Sequence, residues 1–234
     1  MSATPLATGS RSGSPKTSAS PPDENDPRFE ADLLAIAAEY QSFYRSDGTT
    51  FSPFDCRAPV HPAQASRASD GGHGRKLYTL FIKDFTAYAK LSGVSAAAST
   101  AIPLHGPVRA MPQIIVKEAW TPVLADRYRE ECRDKEGKLP SYLDHVTVDG
   151  KNYAACELAA LFVMYRPERP ERAVDDGWVY GTVQYDVGPG DRDGQTRFTP
   201  RVTSAGKLAS CARCHREAPH GRLFGLPKKA VEAR

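Results

Sequence analysis

The apolar residues of this chain change their period once, and that change limits the folds open to it. Up to residue 93 they recur at helical spacing. From residue 113 they fall into short runs rich in β-branched residues, divided by turn signals. "RFEADLLAIAAEYQSFYR" puts Phe29, Leu33, Ile36, Tyr40 and Phe43 on one face, which predicts an amphipathic helix over 28–45. "RKLYTLFIKDFTAYAKLSG" predicts a second helix, ending at Gly93. Further on, "QIIVKEAW" (113–120), "ALFVMYR" (160–166) and "WVYGTVQYDV" (178–187) read as strands. "QTRFTPRV" (195–202) reads as another, with Pro200 placing its end at a sheet edge. Asp149-Gly150, between two short runs, is the strongest local signal for a tight hairpin. A last short helix begins near a cysteine pair. Helices followed by hairpin-linked strands predict an α+β fold, mainly an antiparallel sheet with a few flanking helices and a short helix at the C-terminal end.

The 234 residues suffice for one domain with a hydrophobic core. A net charge of +3, with no basic stripe interleaved with aromatics, gives no footing for nucleic acid. No run approaches the ~18 apolar residues of a membrane helix. Residues 1–27 are rich in Ser, Thr, Pro, Gly and Ala without periodicity, and read as a disordered tail lacking the apolar centre of a signal peptide. A single domain is expected over 28–227, interrupted by a turn-rich loop at 46–74, and 228–234 reads as a basic tail.

"SCARCH", residues 210–215, carries the chemistry. Read as a zinc site, Cys211, Cys214 and His215 supply at most three of the four ligands a structural zinc takes. Read as a redox dithiol, the pair needs a preceding βαβ unit, which the pattern lacks. The haem reading uses every residue. Two thiols three positions apart share a helical face and can each add to a haem vinyl group, and the next residue presents its imidazole to the iron. One copy implies one covalent haem c, borne on the C-terminal helix. The remaining cysteines, Cys56, Cys132 and Cys156, are odd in number, so Cys132 and Cys156 either form one bridge or stay as buried thiols.

Strand alternation in "QIIVKEAW" puts Ile115, Lys117 and Ala119 on one face and Ile114, Val116, Glu118 and Trp120 on the other. Each face therefore carries one charge among apolar neighbours, and a buried charge is costly unless it is paired or bonded. Ordinary ion pairs, or a lysine snorkelling at the sheet margin, would account for this as well as a pocket would.

In order and spacing, "IIVKEAW", "LFVMYR", "DDGWVYGTV" and "SCARCH" with an aromatic soon after resemble the cytochrome P-460 family of mono-haem c proteins, which includes the cytochromes c′-β. The resemblance spans roughly residues 74–225. It implies a mainly antiparallel β fold, usually a homodimer, exported to the periplasm, with a soluble redox partner. It implies Cys211 and Cys214 as the thioether links, His215 as the proximal iron ligand and Phe224 as packing against the haem. Lys117 matches the lysine that cross-links to the macrocycle in members that oxidise hydroxylamine. The c′-β members instead bind NO or CO at an open, apolar iron face. Two departures stand out. The gap holding Cys132 and Cys156 is long, and "RFTPRVTSAGKLAS", where catalytic members carry a distal carboxylate, contains no Asp or Glu. Haem c is attached outside the cytoplasm, so a periplasmic location is expected, with an export signal that residues 1–27 do not supply.

Met111 and Met164 are candidate sixth haem ligands, as in a simple electron carrier without catalytic turnover, which stays open as a third function; core packing is favoured for Met164. His61, His73, His105, His145 and His220 lie in loop or turn contexts that favour surface roles. Trp178 and Tyr180 share a strand face and read as core aromatics or haem neighbours.

Overall fold

A computed structural model describes residues 25–46, 76–93, 104–132, 146–148, 150–188 and 197–225. Cys56, His61, His73, His145, most of the 46–74 loop, residues 1–24 and the basic tail lie outside the described residues. The frame is a seven-stranded antiparallel sheet. In chain order its strands are β1 (Tyr44–Arg45), β2 (Leu77–Ile82), β3 (Ile114–Leu124), β4 (Val146–Val148), β5 (Lys151–Tyr165), β6 (Val179–Gly188) and β7 (Arg197–Gly206). Six of them run side by side as β1-β2-β3-β5-β6-β7, and β4 pairs with β5 alone. The α-helices are α1 (Glu30–Glu39), α2 (Phe85–Leu91), α3 (Gly106–Ala110), α4 (Tyr128–Glu131) and α5 (Ala209–Arg216). The expected α+β class with a mainly antiparallel sheet is what the chain forms.

Two of the expected helices are shorter than the sequence pattern suggests. The 28–45 segment is helical through α1, tightens to a 3₁₀ turn at Tyr40–Ser42, and ends as the edge strand β1. The 75–93 segment is corrected: its first part, "LYTLFI", is β2, and only Phe85–Leu91 is helical. Its apolar residues satisfy a helical template as well as a strand one. What decides is the partner: β2 pairs in unbroken register with β3, from Leu77 opposite Trp120 to Ile82 opposite Ile115. Asp84 then accepts the Ala87 amide and starts α2. At the other end of the chain, Asn25 bridges to Ala205 of β7, so the last residues of the segment read as a tail belong to the fold.

The sheet is covered on both sides. On the first face, Ile114, Val116, Leu161, Val163 and Val183 pack under Leu33 and Ile36 of α1. Gly181 of β6 lets that helix approach, since a Cβ there would lie 2.4 Å from Leu33 Cδ1. On the second face, Ile82, Ile115, Met164, Trp178 and Tyr180 pack with Phe85 and Tyr88 of α2 and Leu208 and Ala212 of α5. The β4–β5 hairpin turns through Gly150 at φ +73°, where the predicted Asp149-Gly150 signal lies. β7 is the terminal strand of the path, consistent with Pro200.

Cys132 at the end of α4 and Cys156 on β5 are joined in a disulfide across 24 residues. Closing a loop of that size in the unfolded chain accounts for about 3 kcal/mol. The Cys132→Ala/Cys156→Ala pair is therefore expected to lose that much stability in urea unfolding, and an unchanged midpoint would contradict the assignment.

Candidate functional site

α5 is anchored by one stripe and displays another. Leu208 and Ala212 are buried against the second sheet face. Cys211 and His215, one turn apart, face a cleft between the helix and the sheet. The cleft is small, with a cavity volume of about 70 Å³, and it opens to solvent. Its walls come from β2 (Tyr78, Leu80), β3 (Ile115, Lys117), β5 (Phe162, Met164), β6 (Tyr180), Tyr88 of α2 and the segment Arg222–Gly225. Four of the five residues expected at the site, Lys117, Cys211, His215 and Phe224, thus share one cavity although the first two are 94 positions apart in the chain. Cys214 sits on the same helix, half-exposed, outside the lining. It and Cys211 are both thiols rather than disulfide partners.

His215 is held on three sides. Its Nδ1 lies 2.7 Å from the carbonyl oxygen of Arg222. A carbonyl only accepts, so Nδ1 carries the proton and Nε2 keeps a lone pair. The rings of Tyr180 and Phe224 stand 5.5 and 5.3 Å from the imidazole. Burial pushes its pKa down, against the raising effect of the Arg222 carbonyl, and Lys117 and Arg222 oppose a positive ring further. A neutral imidazole with a free Nε2 is the form that binds a transition metal. A donor nitrogen, two thiols on one helix and an aromatic-lined cavity beside them fit a covalently held haem. Among the described residues no three His, Cys, Asp or Glu side chains gather as a metal-ion site, which leaves the zinc reading without a ligand set there.

The two charges of "VKE" separate as alternation requires. Lys117 is buried on the cavity side, its ammonium 4.4 Å from the centre of the Tyr78 ring and 5.7 Å from that of Phe162. Glu118 is buried on the α1 side, where it accepts from the Tyr40 hydroxyl at 2.6 Å and from Trp120 Nε1 at 3.1 Å. Burial, then the Glu118 charge, raise the Tyr40 pKa far above the ordinary phenol value, so that hydroxyl remains a donor.

The other candidates sort clearly. Met111 is buried in the core on the α1 side, away from the cavity, whereas Met164 is both core and cavity wall. His105 precedes α3 as its N-cap, and His220 is exposed in the turn after α5. Trp178 is fully buried and donates to the Gly221 carbonyl, with the Arg166 guanidinium over its ring. Among the described lining residues there is no carboxylate. The sequence did not single out Asp175, which is buried beside the cavity and accepts from the Tyr180 hydroxyl at 2.9 Å. Its only sequence signal is its place at the start of the Asp-Asp-Gly turn before β6. Tyr78, Tyr88 and Phe162 were also missed, because an aromatic on a strand or helix face carries no mark of a cavity.

Glu118→Leu strands two buried donors and is expected to cost about 3 kcal/mol in urea denaturation. Lys117→Met gives up contacts with ring faces and is expected to cost about 1 kcal/mol or less. Equal losses would show that the two charges do not have these different surroundings. Comparison of the chain with protein-family models, with curated proteins and with solved structures finds no match.

Proposed function

We propose that this protein is a mono-haem c-type cytochrome of the P-460 kind, working on small nitrogen compounds. The observation that carries the reading is the convergence of Lys117, Cys211, His215 and Phe224 on one cavity, with His215 Nδ1 engaged and Nε2 available. In this reading Cys211 and Cys214 each add their S–H across a vinyl double bond, the sulfur to one carbon and the proton to the other. His215 Nε2 would be the proximal ligand, and Phe224 would pack beside it. Lys117 would be the amine facing the macrocycle, where a C–N bond that replaces a ring C–H and an amine N–H needs a two-electron oxidant such as a peroxide. A haem bound there supplies one-electron chemistry and an iron coordination position. The chain contributes the shape of the cavity, its low polarity and the orientation of the imidazole. The Cys132–Cys156 disulfide supports an oxidising compartment outside the cytoplasm, where haem c is attached.

The first substrate to assay is hydroxylamine, because of Lys117. A second reading is favoured by a separate observation: the described lining offers no carboxylate to move protons. General acid-base assistance contributes ~10²–10⁴-fold where it operates. A protein without it suits reversible binding of NO or CO better than turnover.

The test is intact mass and a visible spectrum of the full chain produced with an export signal and a c-haem maturation system. A mass gain of one haem, abolished by Cys211→Ala/Cys214→Ala, is expected. A ferrous Soret band displaced to the red, and returned to an ordinary c-haem position by Lys117→Ala, is expected for the cross-linked enzyme. Haem with an ordinary Soret and CO binding would select the gas-binding reading. No haem at all would overturn both.

A further inference from the structure

The carbonyl that fixes His215 belongs to an unusual turn. His220 and Leu223 exchange backbone hydrogen bonds of 3.2 and 3.3 Å, and between them Gly221 and Arg222 both have positive φ, 56° and 76°. Glycine adopts that region without cost, but arginine meets its Cβ penalty there, so something outside the turn must hold residue 222 in place. What holds it is the turn just before β6. Asp175 Oδ1 accepts from Arg222 Nη2 at 3.2 Å, with both side chains largely buried, and Asp176 lies 3.8 Å from Arg222 Nε. Asp175 Oδ2 accepts from the hydroxyl of Tyr180, whose ring leans on His215. Trp178 Nε1 grips the turn a third time, at the Gly221 carbonyl.

We propose that Asp175 is a positioning residue for His215, acting through the Arg222 side chain to aim the Arg222 carbonyl at Nδ1. The proposal deepens the haem reading and rests on it for its purpose, since the nitrogen left with a lone pair is the one offered to iron. A carbonyl aimed at Nδ1 holds the ring in one tautomer and makes Nε2 a stronger donor. Asp175 does not line the cavity; beside its charge, which favours a positive imidazole, and its bond to Tyr180, its positioning effect travels by the turn's conformation.

The experiment reads the His215 tautomer by nitrogen NMR in the full chain. If the chain purifies with haem, it reads the ferrous iron–histidine stretching band instead. Arg222→Gly is the decisive variant, because glycine keeps the left-handed turn and the carbonyl while removing the link to Asp175. Asp175→Asn removes the charge, and Arg222→Lys retains a cation at the turn. The native chain is expected to show the Nδ1–H form in excess. That excess should fall about fivefold or more in Arg222→Gly and Asp175→Asn, as loss of one hydrogen bond requires, with partial recovery in Arg222→Lys. In the haem-loaded protein the stretching band should move to lower frequency in the same two variants. A native tautomer ratio or band in Arg222→Gly would overturn the proposal, even if its melting temperature falls, since a merely structural salt bridge does no more than that. Failure of the haem reading would appear separately, as absence of haem mass, and the tautomer would still decide the role of Asp175.

Discussion

The site depends on β3 being buried on both of its faces. A strand covered on one side presents its polar residues to water, but β3 lies between β2 and β5 with α1 over one face and α2 and α5 over the other. Consecutive charges on such a strand have no solvent to share and are sent into two different interiors. Glu118 enters the interior rich in donors, where a phenol and an indole nitrogen satisfy it. Lys117 enters the interior that has been left open as a cavity, with ring faces of Tyr78 and Phe162 beside it. The same alternation that builds the core therefore delivers one cation to the site.

The other wall is assembled from the end of the chain. α5 has only two turns and no side-chain cap at its start, so little of its order comes from its own backbone. It is held by Leu208 and Ala212, buried in the second core, and by the turn at 220–223 that folds back on it. That turn is gripped by the segment leading into β6, a strand paired with β5 and so with β3. Lys117 is fixed by strand pairing within the sheet, whereas His215 is fixed by the packing of α5 on that sheet and by the turn at 220–223.

Much of this was legible in the sequence, and the omissions have physical reasons. The strands from residue 113 onward, the Asp149-Gly150 hairpin, the cysteine-bearing helix and the opposite facing of Lys117 and Glu118 follow from local pattern, because alternation and turn chemistry act over a few residues. "LYTLFI" was misread because a fully buried strand loses its alternation and then resembles a helix segment; only the pairing with β3 distinguishes them. The Cys132–Cys156 bridge was one of two readings, since no local rule brings a residue after α4 to the middle of β5. Asp175 was invisible for a related reason. Its importance lies in contacts with Tyr180 and Arg222, one close in sequence and the other 47 positions away.

The charges around the cavity bear on what can enter it. Arg222 has its counter-charge behind it in Asp175, and Lys117 is set against aromatic faces. No carboxylate among the described lining residues draws in a cation. Tyr180 and Tyr88 are both held as neutral phenols by burial, the first also by its bond to Asp175. A cationic ligand would meet the Lys117 ammonium with no carboxylate among the described lining residues to receive it, at a cost that low local polarity enlarges. A small neutral molecule meets no such barrier. Hydroxylamine in its neutral form and NO both satisfy that condition, so the cavity's electrostatics admit both readings. Under the proposed haem reading, what separates them is whether Lys117 bonds the macrocycle, a covalent question that charge and shape leave to the spectrum.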